Sequence, residues 1–370
     1  MIAAIKRPVL LVNEALAHQH IQRMVAKTQA VGLELVPHFK THQSRQIGRW
    51  FAGTGIKHIN VSSVAMAQYF AEDGWQHITI AFPFNIREAD EVADLAARVS
   101  LSLLITEPQH IRVLADRVEV LTRVYIEIDT GGQRSGVAAD DYHLIGELIT
   151  AIQQSQHRFA GFYSHFGHTY QARGQQQIRE IFKRSAHILF DLQQRFAYAS
   201  PQLAAGDTPG ASVVDDFGAL TSLHPGNFVF YDLMQVAIGS CRLSDIAVAL
   251  ACPVVSKNAD RQEIILYGGA VHLSKEQLLW PELGKPIYGL PAALTASGWS
   301  TPWPGCYLKT VSQEHGVLQV TQEQFDKIQI GDVIAILPVH SCLTADAMAG
   351  YRTLTGERLD HFKAAWPAIE

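Results

Sequence analysis

Residues Arg123–His165 read RVYIEIDTGGQRSGVAADDYHLIGELITAIQQSQHRFAGFYSH. Arg123–Asp129 is a short run of β-branched and aromatic residues, the composition of a buried strand. Tyr142–Gln153 carries apolar residues at three- and four-residue steps, the spacing of an amphipathic helix. Phe159–His165 is extended again. A glycine-rich polar turn, Asp129-Thr130-Gly131-Gly132-Gln133-Arg134, follows the first strand. Strand, helix and strand in so short a span imply parallel strands, because parallel neighbours need a crossover connection.

The same rhythm runs outward in both directions. Candidate strands are Leu33–Phe39, His58–Ser62, Ile78–Phe82, Leu101–Ile105, Arg123–Asp129, Phe159–His165, Gln202–Gly206 and Leu220–His224, with amphipathic segments such as Ala89–Val99 between them. Eight strands alternating with helices favour a closed (β/α)8 barrel over an open sheet. The barrel is expected over residues 7–235. After Val236 the pattern changes to strands separated by turns, at Ile246–Val255, Glu263–Tyr267, Cys306–Val311, Val317–Val320 and Asp332–Leu337. Residues 236–370 are therefore expected to form a second, mostly β domain, with residues 1–12 as a candidate addition to it.

Composition narrows the function. The 370 residues are 48% hydrophobic and 18% charged, with a formal net charge of -5, the balance of a globular chain with no bias toward nucleic acid or anionic membranes. No run approaches the length of a membrane span. Pro8, Asn13 and Glu14 interrupt any signal-peptide core. The four cysteines are irregularly spaced and read as thiols. The expected address is the cytoplasm, with a small molecule as partner.

Chemistry in a barrel sits at the C-terminal ends of its strands. Those ends carry Pro37–His42, Asp129–Arg134, Ser164–His168, Gly206–Gly210 and His224–Asn227. Lys40, taken alone, fits first a solvated strand end; an amine at a barrel mouth can also form an imine with an aldehyde cofactor. Gly206–Gly210 and Gly226-Asn227 fit ordinary tight turns, or backbone cradles for a phosphate with Thr208 adding a hydroxyl. Arg134 fits a surface ion pair or a partner for a phenolate or carboxylate. In the second domain, His340 and Cys342 lie two apart on an apparently extended segment and so point to one side. That donor pair suits zinc, with water and substrate completing an open site.

Taken in order, these motifs resemble the D-serine dehydratase and D-threonine aldolase family of alanine-racemase-like, pyridoxal-phosphate-dependent enzymes. The resemblance is carried by Pro37–His42, Ile128–Gly136, Gly161–Tyr170, Gly206–Pro209, Pro225–Asp232, Glu314-His315-Gly316 and His340-Ser341-Cys342. It implies a barrel followed by a β domain, usually as a homodimer. It implies that Lys40 holds pyridoxal 5'-phosphate as a Schiff base, and that Thr208, Gly226 and Asn227 bind its phosphate. Arg134 would sit near the phenolic oxygen, His165 would flank the ring and Tyr170 would approach the pyridine nitrogen. His340 and Cys342 resemble the zinc ligands of the dehydratase branch, whereas the aldolase branch tends to His-x-Asp and Mn2+.

The expected reaction is dehydration of a D-3-hydroxy amino acid such as D-serine to a keto acid and ammonia. A metal suits it because hydroxide is a poor leaving group, and zinc can lower the pKa of bound water from about 15.7 to about 7. The nearest rival is retro-aldol cleavage of a substrate such as D-threonine to glycine and an aldehyde. Racemisation and non-catalytic carriage of the cofactor are further alternatives; neither calls for a metal.

Overall fold

The computed structural model describes residues 4–365. Residues 1–3 and 366–370, the outer ends of the expected second domain, lie outside that range. The chain divides into two compact units. One comprises Gln22–Lys40 and Arg49–Gly226; the other comprises Met1–Ile21, Thr41–Gly48 and Asn227–Glu370.

The first unit is the eight-stranded barrel expected from the sequence. Its parallel strands follow the spatial order Glu34–Leu35, Ser222–Leu223, Gln202–Gly206, Arg158–His165, Arg123–Asp129, Ser100–Ile105, His77–Pro83 and His58–Val61. A parallel bridge between His38 and Asn60 brings the last strand back to the first and closes the ring. The first strand is shorter than its apolar run predicts. The pairing nevertheless continues beyond it: Val36 N–H donates to Leu223 O (2.9 Å) and His38 N–H to Pro225 O (2.8 Å) on one side, while on the other Asn60 N–H donates to Pro37 O (2.9 Å) and Phe39 N–H to Asn60 O (2.8 Å). Helices Val64–Glu72, Ala89–Ala96, Pro108–Arg117, Tyr142–Gln153 and Gln175–Arg195 connect the strands. Leu104, Tyr125, Ala160, Tyr163 and Ala204, from four adjacent strands, pack into one buried cluster. Gly161 is required where two of those strands touch: its φ is +139°, and a Cβ there would lie 2.0 Å from the backbone oxygen of Gln202.

The second unit is built on a mixed sheet. Val9–Val12 pairs antiparallel with the start of Val248–Asn258 and parallel with Tyr351–Thr353. Val248–Asn258 also pairs with Val333–Pro338 and, beyond a bulge at Val254–Ser256, with Glu263–Tyr267. Leu233, Ile246, Trp280, Ile287, Leu290 and Leu337 form its apolar core. Two features depart from the sequence reading. Gly289–Thr295 is a strand with no alternating signal, because Pro291 and two alanines dilute it. The segment after His340 is not extended: Ser341–Met348 is an α-helix with His340 as its N-cap residue. The Asp232 carboxylate accepts the Ser341 N–H at 2.9 Å and so satisfies a helix-terminal donor that an extended reading leaves out.

Candidate active site

The loop at Lys40 is set by alternation and by burial. Phe39 is fully buried, its ring 5.2, 5.0 and 5.1 Å from those of Phe51, Phe70 and Trp75. His38 faces the other way, where its Nδ1 accepts the Lys40 backbone N–H at 3.3 Å. Burial, then the charge of Lys40, holds the His38 ring far below the usual histidine range, so it is a neutral imidazole. Lys40 itself is half-buried.

Arg134 stands on a turn built by Asp129. That carboxylate accepts the N–H groups of Gly131 (2.8 Å) and Gln133 (3.1 Å). The turn closes at Gly136, whose φ of +107° and backbone approach leave no room for a side chain: a Cβ would sit 2.7 Å from Asp129 N. Arg134 is exposed, and its guanidinium lies 4.0 Å from the buried carboxylate of Glu127. Burial pushes the Glu127 carboxyl up, against the hydrogen bond from Ser135 and the charge of Arg134. The sequence reading passed over Glu127. Its signal is period-two spacing from Asp129 on the same strand.

His165 ends its strand with Nδ1 donating to Gly206 O at 3.0 Å, which fixes the tautomer and leaves Nε2 as an acceptor. Burial, Lys40 and Arg134 together push its pKa down to about 3. Tyr170 lies on a short 3-10 turn, Gly167–Gln171, half-buried, with its ring 6.4 Å from that of His165.

Asp207 and Thr208 begin the helix Thr208–Val213. Asp207 Oδ2 accepts the Thr169 hydroxyl and the Gly210 N–H, each at 2.6 Å. Burial still raises its pKa to about 7. The Thr208 hydroxyl is buried and has no partner among the described residues. A buried donor left this way costs stability unless something satisfies it, and a phosphate oxygen is such a partner. Gly206, just before it, approaches the backbone so closely that a Cβ would lie 2.8 Å from His224 N. These features fit a phosphate cradle.

The second unit holds the donor pair. His340 Nδ1 is 2.7 Å from Glu276 Oε2, leaving Nε2 as the nitrogen available to a metal. Against the effect of burial, His340 and Cys342 favour each other's charged form across the first turn of the helix: the thiol falls below its usual range and the imidazole rises. So the two side chains meet, by a helical route and not the extended one. Cys342 Sγ also lies 3.4 Å from Thr41 Oγ1 and 3.6 Å from Asn227 Nδ2. Nitrogen and sulfur donors, with a carboxylate orienting the histidine, fit a borderline-soft metal. No group of three or more His, Cys, Asp or Glu side chains is arranged for a metal among the described residues.

The Asn227 side-chain amide is committed to Asp232 (2.7 Å) and the Ser341 hydroxyl (3.0 Å). What Gly226 and Asn227 can offer a phosphate is therefore backbone N–H. Asp232 also accepts from Gln235 N–H and Ser341. It closes the Pro225–Asp232 motif, and its link to Ser341, 109 residues later, is the part that the sequence does not reveal.

Comparison with known proteins places this arrangement. The family model "Alanine racemase, N-terminal domain" matches residues 11–232, and "Putative serine dehydratase domain" matches residues 247–354. The chain belongs to the alanine-racemase-like family, joined to a second domain of the serine dehydratase type. Among relatives, it is 24% identical to a D-serine dehydratase of Dictyostelium discoideum over 95% of this chain and 93% of that protein. It is 25% identical to the D-threo-3-hydroxyaspartate dehydratase of Delftia sp. (strain HT23) over 95% and 94%. The solved structure of that Delftia enzyme superposes with a TM-score of 0.90 at 24% identity, covering 97% and 98% of the two chains. A cysteine-to-alanine variant of a D-threo-3-hydroxyaspartate dehydratase is described in its metal-free form. The D-threonine aldolase from Filomicrobium marinum shares the fold, with a TM-score of 0.83, 20% identity and coverage of 98% and 97%. No helix among the described residues is long and apolar enough to cross a membrane.

Proposed function

We propose that this chain is a pyridoxal-phosphate- and metal-dependent lyase that dehydrates a D-3-hydroxy amino acid to a keto acid and ammonia. The observation that carries this reading is the His340–Cys342 pair with Glu276 behind the histidine. Racemisation and cofactor carriage have no use for a metal site, and dehydration does. The named relatives, two of them dehydratases of D-amino acids, support it.

In this reading Lys40 holds the cofactor aldehyde and Thr208, with the N–H groups of Gly226 and Asn227, holds its phosphate. Pyridoxal phosphate, when bound, supplies an electron sink for the pair left on Cα. Lys40, released by the substrate amine, removes the Cα proton and keeps it on Nζ. Neutral His165 flanks the ring with its Nε2 unprotonated. Arg134, backed by Glu127, places positive charge at the phenolic oxygen, and the Tyr170 hydroxyl approaches the pyridine nitrogen. His340 and Cys342 would hold zinc, which would supply a Lewis acid to stabilise the departing β-oxygen as hydroxide; Mn2+ is the alternative ion. The departing hydroxide would take up the proton that Lys40 Nζ carried from Cα and leave as water; hydrolysis of the enamine product would then consume one water and release ammonia. A homodimer and a cytoplasmic address complete the proposal.

Purified protein supplied with pyridoxal phosphate and zinc is tested on D-serine and D-threonine. Pyruvate or 2-oxobutyrate with stoichiometric ammonia, lost on chelation and in Lys40→Ala, is the expected result. Glycine and acetaldehyde from D-threonine would make the chain an aldolase. Bound cofactor with no metal and no turnover would make it a carrier.

A further inference from the structure

The strand ends that carry Lys40, Arg134, His165 and Thr208 lie at one end of the barrel. A cavity of about 510 Å3 opens at the other end, lined by residues that begin strands: Glu34, His58, His77 and Arg123, together with Lys57 and Ser102. That end of a barrel ordinarily serves stability, so its side chains should satisfy one another. Here they divide into two sets.

The first set is internally satisfied. Glu34 accepts from His58 Nδ1 at 3.1 Å, and His58 Nε2 lies 2.8 Å from the Thr79 hydroxyl. The Arg123 guanidinium is held in place by Gln202 Oε1 (2.6 Å) and the Tyr125 hydroxyl (3.1 Å), both through Nη2. These two neutral partners leave its charge uncompensated by any ion pair. The second set is not. Lys57 and His77, both exposed, and Ser102 line the cavity; none of the three side chains makes a hydrogen bond or ion pair among the described residues, and the charge of His77 acts only at longer range on Glu34. Ser102 is only 3% exposed, so its hydroxyl is not simply a solvated surface group.

We infer that this cavity is a binding site for a small oxyanion, a metabolite bearing a carboxylate or phosphate group, held by Arg123, Lys57, His77 and the Ser102 hydroxyl. A pre-positioned guanidinium beside unpartnered donors is the arrangement that recognises such groups. One carboxylate, Glu34, lines the cavity and feels His58, Arg123 and His77, against four basic side chains, Lys57, His58, His77 and Arg123. The volume lies in the range of metabolite sites, larger than a bare ion needs.

The test uses protein saturated with pyridoxal phosphate, so that the phosphate cradle at the other end is already filled. Calorimetric titration with orthophosphate, and separately with succinate at constant ionic strength, measures binding. Saturable millimolar-range binding of either probe, weakened about tenfold or more in Lys57→Gln and in Arg123→Gln, is expected. Response to orthophosphate alone identifies a phosphate-bearing ligand, and response to succinate alone a carboxylate. No saturable binding of either probe overturns the site, as does binding that both variants leave unchanged. Lys57 has no partner to lose, so its variant reads the site without disturbing the fold. Product formation is measured in parallel. Loss of the anion site with turnover intact refutes this inference alone, and the converse refutes only the proposed activity.

Discussion

His340 Nδ1 and Glu276 Oε2, 64 residues apart in the chain, lie 2.7 Å from each other. The contact leaves Nε2 as the nitrogen that would face the proposed metal, and a carboxylate so placed makes that nitrogen a better donor. Glu276→Gln keeps the shape and removes the charge. It should lower zinc affinity about 10- to 100-fold, with product formation recovering as zinc is raised. Metal content after dialysis against graded chelator measures it. An unchanged affinity would show that Glu276 plays no part in metal binding.

The buried Thr208 hydroxyl gives a second test. A hydrogen bond to a charged group is worth roughly 1.5–3 kcal/mol. Thr208→Val should therefore weaken pyridoxal phosphate binding by about 10- to 150-fold without lowering thermal stability of the cofactor-free protein. Titration of the cofactor absorbance reads the first effect and a melting curve the second. Equal cofactor affinity would remove Thr208 from the cradle.

Buried histidines predict how stability depends on pH. Burial, as the first cause, depresses His42 and His165 to about 3 and His361 to about 4, and holds His38 and His224 well below their usual range. A depressed group favours the folded state fully above its unfolded pKa of about 6.5, and that advantage is lost as pH falls toward the folded value. Asp207 acts oppositely: raised to about 7, its contribution is complete below about 3.8 and is lost as pH rises through 7. The histidines outnumber it. The urea midpoint should fall steadily between pH 7 and 5, with each histidine contributing at most about 1.4 kcal/mol per pH unit. A flat midpoint over that range would contradict the buried, neutral assignment.

Asp360 caps the helix Arg45–Ala52, close after Lys40 in the chain. Its carboxylate accepts from the Ser44 hydroxyl (2.6 Å) and from the N–H groups of Arg45 (3.2 Å) and Gln46 (3.1 Å). Asp360→Ala should cost about 1–2 kcal/mol and speed amide exchange in residues 44–48. Urea unfolding and hydrogen exchange check both. Unaltered exchange there would mean that the helix start is held by other contacts.

Much of the barrel was legible because its signals are local. Alternation and apolar spacing mark each strand and helix in Arg123–His165 without reference to anything distant. Where a local rule competed with another, the reading slipped. Pro291 hid one strand of the second unit. The helix at Ser341 was missed because its N-terminal donor is satisfied by Asp232, more than a hundred residues earlier.

The sequence by itself determined the strand–helix alternation, the glycine turns, the lysine at a strand end and the His340-x-Cys342 spacing, all properties of neighbouring residues. Only the tertiary structure decided that Glu276 orients His340, that Asp360 caps the helix after Lys40, and that basic side chains gather at the far end of the barrel. Those contacts join residues distant in the chain, or meet only when strand starts come together in a ring. Their energies depend on burial and angle, which no local pattern specifies.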